Sequence, residues 1–375
     1  MFENVKAFCD SFLPMGIPGG DLYILQDGKE LLRYTFGYSD LENKTPVKGD
    51  EQYYIHSCSK PLTCVAAMQL WEKGMFKLDD PISDYLPEFA EMTVKTEDGI
   101  RKATTPITIK NLFTMTAGLN YDRGTPAIKR LRQETNDACP TRLFVKALAE
   151  GPLDFEPGDR YQYSLCHDVL AVLVEVLSGQ KFEDYVKEHI FLPLGMTKST
   201  FLPTLEEKKH IVPLYRFNQE LGKPVFVDCS GYNFGTAYAS GSGGAVSTVE
   251  DYVKFLEALR LGDVILKKET IDLMTTNHLT EHQMRTYPPA KNYGYGLGMR
   301  TPWENGIRTD FGWGGAGGAY LAVDRAHNMS VYYAQHLLES PNQGIRPKAY
   351  YQVLEELYGL PSVKTEPANA NKLTY

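Results

Sequence analysis

The chain carries 375 residues, of which 43% are apolar, 12% aromatic and 23% charged. That profile belongs to a globular protein with a large core, and at roughly 100–200 residues per domain it suggests two structural units or one composite one; a disordered chain, a fibre and a small disulfide-stapled scaffold are excluded. A net charge of −8, with no local basic patch, repels phosphate backbones and anionic lipid heads, so neither nucleic acid nor a membrane is an expected partner.

The first residues predict a helix over 3–12. Apolar runs at 22–25 and 31–36 flank Asp27-Gly28 and predict a β-hairpin. Apolar spacing at Leu62, Val65, Ala66 and Leu70, ended by Gly74, predicts a helix over 62–73, and similar patterns follow at 109–115, 140–149, 169–178 and 182–189. The segment 293–299 alternates large residues with glycine at the period of a strand, leaving one face bare for something to pack closely against it. Two more strand-like runs, 320–323 and 329–334, are joined by a short polar turn. Pro347 and Gly359 bracket a closing amphipathic helix, and the polar, aperiodic segment 361–375 is expected to be a loose tail.

Strands at both ends must meet to close a sheet. The expected architecture is therefore α+β: an antiparallel sheet flanked by terminal helices, with a helical insertion of about 170 residues where the periodicity changes. The boundaries read as sheet-bearing parts at 1–63 and 236–360 around a helical domain at 64–235. Six cysteines without a C-x-x-C pair argue against a zinc ribbon or dithiol motif and predict reduced, mostly buried thiols. With no visible secretory signal and no bilayer-spanning apolar run, a cytoplasmic location is expected.

Ser57-Cys58-Ser59-Lys60 stands directly before the 62–73 helix, which puts Ser57 and Lys60 three residues apart on one face of a first turn. A serine hydroxyl attacks only when a base removes its proton. Lysine can be that base if burial lowers its pKa from ~10.4 to near 7, a change of roughly 4 kcal/mol. The spacing alone is weak, because Ser178-Gly179-Gln180-Lys181 repeats it at what reads as a helix end, and Ser57 or Ser59 can equally be a helix cap. Other patterns read as decoys. Gly312-x-Gly314-x-x-Gly317 precedes a strand rather than a helix, Asp79-Asp80 precedes Pro81 in a turn, and the eight histidines show no metal-ligand spacing, so no metal or cofactor is expected. Cys58 reads as a packed helix residue rather than a reactive thiol.

The stretch 55–89, I-H-S-C-S-K-P-L-T-C-V-A-A-M-Q-L-W-E-K-G followed by L-D-D-P-I-S-D-Y-L-P-E-F, resembles the serine β-lactamase and penicillin-binding-protein superfamily, particularly class C β-lactamases and family VIII carboxylesterases. T-I-K-N-L-F-T-M-T-A-G-L at 108–119, Glu156-Pro157-Gly158 through Tyr163-Ser164, Pro193-Leu194-Gly195-Met196-Thr197 and Gly243-Gly244-Ala245-Val246-Ser247-Thr248 recur in the family's order, so the resemblance covers most of 20–340. It implies that Ser57 is the acylated nucleophile, that Lys60 assists proton transfer, and that Tyr163, held near the nucleophile by Lys60, shares the base role and protonates the leaving group.

The same resemblance matches the family's K-T-G element to Trp313-Gly314-Gly315, with the backbone N–H of Ala316 joining that of Ser57 in an oxyanion hole worth roughly 3–4 kcal/mol per donor. Two departures point away from lactams. Leu165 replaces an asparagine that would bind an acylamino side chain, and Trp313 puts an apolar wall where a lysine would hold a lactam carboxylate. The expected function is a carboxylesterase acting on small acyl esters through a Ser57 acyl-enzyme. β-Lactamase, D-amino-acid peptidase and acyltransferase variants use the same residues and stay open. A non-catalytic ligand-binding homologue is the rival from another class, favoured by Met115 and Ala117 where the family reads His-Thr-Ser-Gly.

Overall fold

The computed structural model describes residues 1–229, 237–303 and 308–360; the expected tail at 361–375 lies outside the described residues. Among the described residues, eight strands form the main sheet: β1 (Gly19–Gln26), β2 (Lys29–Asp40), β3 (Thr45–Pro46), β4 (Gly294–Tyr295), β5 (Arg300–Thr301), β6 (Phe311–Gly314), β7 (Tyr320–Asp324) and β8 (Met329–Ala334). Their order across the sheet is β4-β5-β6-β7-β8-β1-β2-β3, antiparallel throughout. The two ends of the chain therefore close one sheet, with Asp21 opposite Ala334 and Gln26 opposite Met329. Asp27 and Gly28 both take positive φ, 51° and 74°, as a two-residue hairpin turn requires.

The helices are α1 (Glu3–Asp10), α2 (Ser59–Glu72), α3 (Ile109–Phe113), α4 (Pro126–Glu134), α5 (Thr141–Ala149), α6 (Cys166–Ser178), α7 (Phe182–Val186), α8 (Val249–Leu261), α9 (Lys268–Met274), α10 (Glu281–Met284) and α11 (Lys348–Tyr358). Helices α1 and α11 cover one face of the sheet. Val5 and Cys9 share a core there with Tyr350, Val353, Tyr320, Ala322, Val331 and Tyr333. Leu321, Val323, Tyr332 and Ala334 point the other way, into a second core with Val253 and Leu256 of α8. Both faces being covered, β7 and β8 are buried along their whole length and read as mainly apolar runs rather than alternating ones. Each large side chain so buried contributes about 1.5–3 kcal/mol.

Helix α2 is buried on almost every side, from Ser59 to Met68 and again at Leu70, and packs against α6. It is a central helix rather than a surface one. The glycine-bare face at 293–299 is filled as expected: a Cβ on Gly296 would sit 2.0 Å from the Met274 carbonyl oxygen, and one on Gly298 would sit 2.2 Å from Cys64 Sγ. The strand itself is shorter than expected, only Gly294–Tyr295. Leu297 N–H donates instead to the Met274 carbonyl at 2.8 Å, and Gly298 turns away at φ 96°.

Candidate active site

Ser57 lies in a single 3-10 turn, His56–Cys58, that runs straight into α2. The turn begins at His56 with φ 49°, a left-handed conformation costly for a residue with a Cβ. Three bonds pin it. Ser59 Oγ donates to the His56 carbonyl at 2.6 Å and accepts from Ala245 N–H at 3.0 Å, and the Tyr252 phenol donates to the Cys58 carbonyl at 2.6 Å. The motif's second serine is thus a strut between the turn and the 240–245 loop, and Cys58 points into the core, where burial pushes its thiol up to about 12.

Lys60 has no solvent exposure. Its Nζ donates to the Ser242 carbonyl at 2.7 Å and to the Tyr121 phenol at 2.9 Å, and lies 3.2 Å from Ser57 Oγ. A carbonyl can only accept, so it consumes one N–H; the phenol oxygen takes a second. In the neutral amine this leaves the lone pair for the Ser57 hydroxyl proton, which is the arrangement a general base needs. Burial is the main force lowering the Lys60 pKa to about 7; the nearby Asp168 carboxylate opposes it, and Arg123 adds to it. Asp168, fully buried at the start of α6, accepts from the Tyr238 phenol at 2.6 Å and Ser240 Oγ at 2.8 Å, anchoring the loop whose Ser242 carbonyl meets Lys60.

Tyr163 stands differently from the expectation that Lys60 would hold its phenol. Lys60 Nζ sits over the Tyr163 ring, 4.5 Å from its centroid, and the phenol on the amine is that of Tyr121. The Tyr163 oxygen accepts from Trp313 Nε1 at 3.3 Å, and the rings of Tyr121 and Tyr163 are 5.4 Å apart. The two tyrosine segments are tied together as Leu165 N–H donates to the Asn120 carbonyl at 3.3 Å and Gln162 Nε2 to the Leu119 carbonyl at 3.1 Å. Sequence reasoning missed Tyr121 although a signal existed: the family-like segment 108–119 ends two residues short of it.

Trp313 lies on β6 between the rings of Tyr163 and Tyr295, at 5.7 Å and 5.3 Å. Beyond Gly314 the chain turns tightly, Gly315 N–H donating to the Ala319 carbonyl at 2.8 Å and Gly318 N–H to the Gly315 carbonyl at 3.0 Å. A Cβ on Gly315 would fall 2.4 Å from the Ile55 carbonyl oxygen, and one on Gly317 would fall 2.8 Å from the His56 ring. Glycine at these two positions lets the 315–318 turn press against the backbone that carries Ser57. Ser57, Lys60, Tyr163, Trp313, Gly314, Gly315 and Ala316 are therefore brought to one place. Leu165, expected to face substrate, is not among them. Its side chain has no exposure and joins the core at the start of α6, because the apolar group gains more there than in a polar cleft. Among the described residues no group of three His, Cys, Asp or Glu side chains could hold a metal ion, and no helix is long and apolar enough to cross a membrane.

Comparison with known proteins gives this geometry a context. Esterase EstB of Burkholderia gladioli is 28% identical over 340 residues, 84% of this chain and 84% of its own length. Lovastatin esterase of Penicillium rubens is 29% identical over 318 residues, 76% of this chain and 79% of its own. Among solved structures, EstCE1, a hydrolase with promiscuous acyltransferase activity, has a TM-score of 0.76 at 25% identity over 95% of this chain and 98% of that one. The family model called Beta-lactamase matches residues 13–354. The chain belongs to the Beta-lactamase family, and within it to the serine hydrolases.

Proposed function

We infer that this enzyme is a carboxylesterase for small acyl esters, working through an acyl-enzyme on Ser57. Neutral Lys60 takes the Ser57 proton as Oγ attacks the ester carbonyl. The N–H groups of Ser57 and Ala316 receive the developing oxyanion, Tyr163 protonates the departing alcohol, and water then releases the acid by the reverse proton path. The observation that carries this reading is the Lys60 amine, dehydrated and bonded to a carbonyl and a phenol, with Ser57 Oγ 3.2 Å away.

An ester rather than a lactam is favoured because Trp313, an indole whose N–H is engaged with Tyr163, stands where a lactam carboxylate would need a cation. The names of the esterase relatives agree with that choice. Intact-mass measurement after incubation with p-nitrophenyl acetate or butyrate tests it. Wild type gains one acyl group and Ser57→Ala gains none, while ester turnover exceeds nitrocefin turnover. No adduct and no turnover across an ester and lactam panel refutes the enzyme; nitrocefin turnover above ester turnover refutes the substrate class.

A further inference from the structure

The 315–318 turn, which carries the Ala316 N–H, is backed by a buried polar cluster that the reaction above leaves unused. Gln335 follows directly on β8, and its side chain lies under Gly318. At φ 111° that glycine presents a bare face, and a Cβ there would run into the Gln335 Cγ, Cδ and Nε2 atoms. Two residues on, Leu337 N–H donates to the Gly317 carbonyl at 2.8 Å. The turn is therefore seated on one short segment, 335–337.

The Gln335 amide is locked. A glutamine amide offers two N–H donors and an oxygen with two acceptor positions, and each finds a partner. Oε1 accepts from the Tyr333 phenol at 2.7 Å and from Asn342 Nδ2 at 3.0 Å, while Nε2 donates to Ser340 Oγ at 2.9 Å and to Asn342 Oδ1 at 3.3 Å. Ser340 Oγ donates in turn to Asn342 Oδ1 at 2.6 Å. The Asn342 carbonyl receives the Ile345 and Arg346 N–H groups at 3.0 Å and 3.1 Å on the approach to α11, which ties the cluster to the helix covering the sheet. Tyr333, Gln335, Ser340 and Asn342 are all buried, and a buried polar network that is fully paired holds a single arrangement.

We propose that Gln335 is a positioning residue for the oxyanion hole: its locked amide is the stop on which the 315–318 turn rests, and the aim of the Ala316 N–H depends on it. The inference rests on the Ser57 esterase reading and on Ala316 as an oxyanion donor. Gln335 acts through the turn rather than on substrate. It keeps a donor fixed at the point where the carbonyl oxygen becomes negative, and such a donor loses its worth when displaced.

The test swaps the atom that the hole must hold. p-Nitrophenyl butyrate and p-nitrophenyl thionobutyrate share an acyl chain and a leaving group, but sulfur is a weak acceptor, so well-aimed donors favour the oxoester. Gln335→Met keeps an unbranched stem under Gly318 and removes the amide. It is expected to lower kcat/KM on the oxoester by roughly 30-fold, short of the cost of losing a whole donor, and on the thionoester by less than about 3-fold. The oxoester preference then falls about tenfold. A merely structural role removes active enzyme and lowers both rates alike; that result, or an unchanged preference, overturns the proposal. Should Gln335→Met fail to fold, Ser340→Ala decides: it cuts one bond that holds the amide and is expected to lower the preference about 3-fold, and no change overturns the proposal. A wild-type enzyme that cleaves both esters without preferring the oxoester overturns the oxyanion assignment and the proposal with it. A wild type that forms no Ser57 adduct and cleaves neither overturns the esterase reading itself.

Discussion

Lys60 offers the sharpest quantitative test of the site, because one side chain's charge sets the activity. Burial brings its pKa from 10.5 to about 7, a change equivalent to roughly 5 kcal/mol at about 1.4 kcal/mol per pH unit. At pH 7 about half of the Lys60 amines are then neutral, against about one in 3,000 for an ordinary exposed lysine, a gain on the order of 10³ in available base. The neutral amine is the form that accepts the Ser57 proton. It follows that kcat/KM for p-nitrophenyl butyrate is level above about pH 8 and falls about tenfold per pH unit below about pH 6, with its midpoint near 7. Asp168→Asn removes the carboxylate whose charge opposes the lowering and moves the midpoint to lower pH. The assay is initial rate against pH from 5 to 9, corrected for buffer hydrolysis. A profile level down to pH 5, a midpoint above 9, or a midpoint that Asp168→Asn shifts upward would refute the assignment of Lys60 as the base.

The same burial makes a stability prediction. An amine whose pKa is lower folded than unfolded costs stability in full below about pH 7, where both states are charged, and the cost disappears by about pH 10.5. Lys60→Met is therefore expected to abolish activity yet melt above wild type at pH 6, with the gap closing toward pH 10; a variant that melts lower at pH 6 contradicts this. Gly315→Ala places a Cβ 2.4 Å from the Ile55 carbonyl oxygen, so the turn must back away from Ser57, and kcat/KM is expected to fall by roughly 10²-fold or more; retention of wild-type kcat/KM would show that the turn's position is immaterial. Leu165→Asn restores the family's amide in sequence but buries it in a core position with no exposure. A loss of about 1–3 kcal/mol in urea unfolding, with no rise in nitrocefin turnover, is the expected outcome. Ser59→Ala cuts both bonds of the strut between the His56 carbonyl and Ala245 N–H and is expected to cost about 2 kcal/mol in the same assay.

Much of the fold was legible because its signals are local. Asp27-Gly28, Pro347 and Gly359 each fix a backbone geometry that one or two residues dictate, and the alternate glycines at 294, 296 and 298 announced close packing. Helix α8 was passed over although Thr248 caps it, accepting from Asp251 N–H at 3.1 Å; its apolar residues answer to a sheet whose other strands lie far away in sequence. Helix α4 is short, with charges at Lys129, Arg130, Arg132 and Glu134, and its first turn depends on Thr125 as a cap, a weak signal among so many threonines. In the site, the pair Ser57 and Lys60 was readable because residues three apart in a helical turn share a face and the surrounding stretch 55–89 resembles the serine β-lactamase superfamily. Tyr121 carried only the faint signal of lying two residues past the family-like segment 108–119, and nothing in spacing says which of 24 tyrosines a distant loop will bring to a lysine. Leu165 was misjudged for the opposite reason: position in a motif was read as exposure, and burial is a property of the whole fold.

The Ser242 carbonyl that caps the Lys60 amine reaches it from 182 positions along the chain. An amine whose charge is held down by burial beneath a loop so remote in sequence is a sensor of tertiary closure. Any breathing motion that parts the 240–245 loop from α2 admits water, restores the ammonium and silences the nucleophile while both halves of the molecule keep their secondary structure. Heating should accordingly extinguish turnover several degrees before circular dichroism registers melting, and cooling should bring it back.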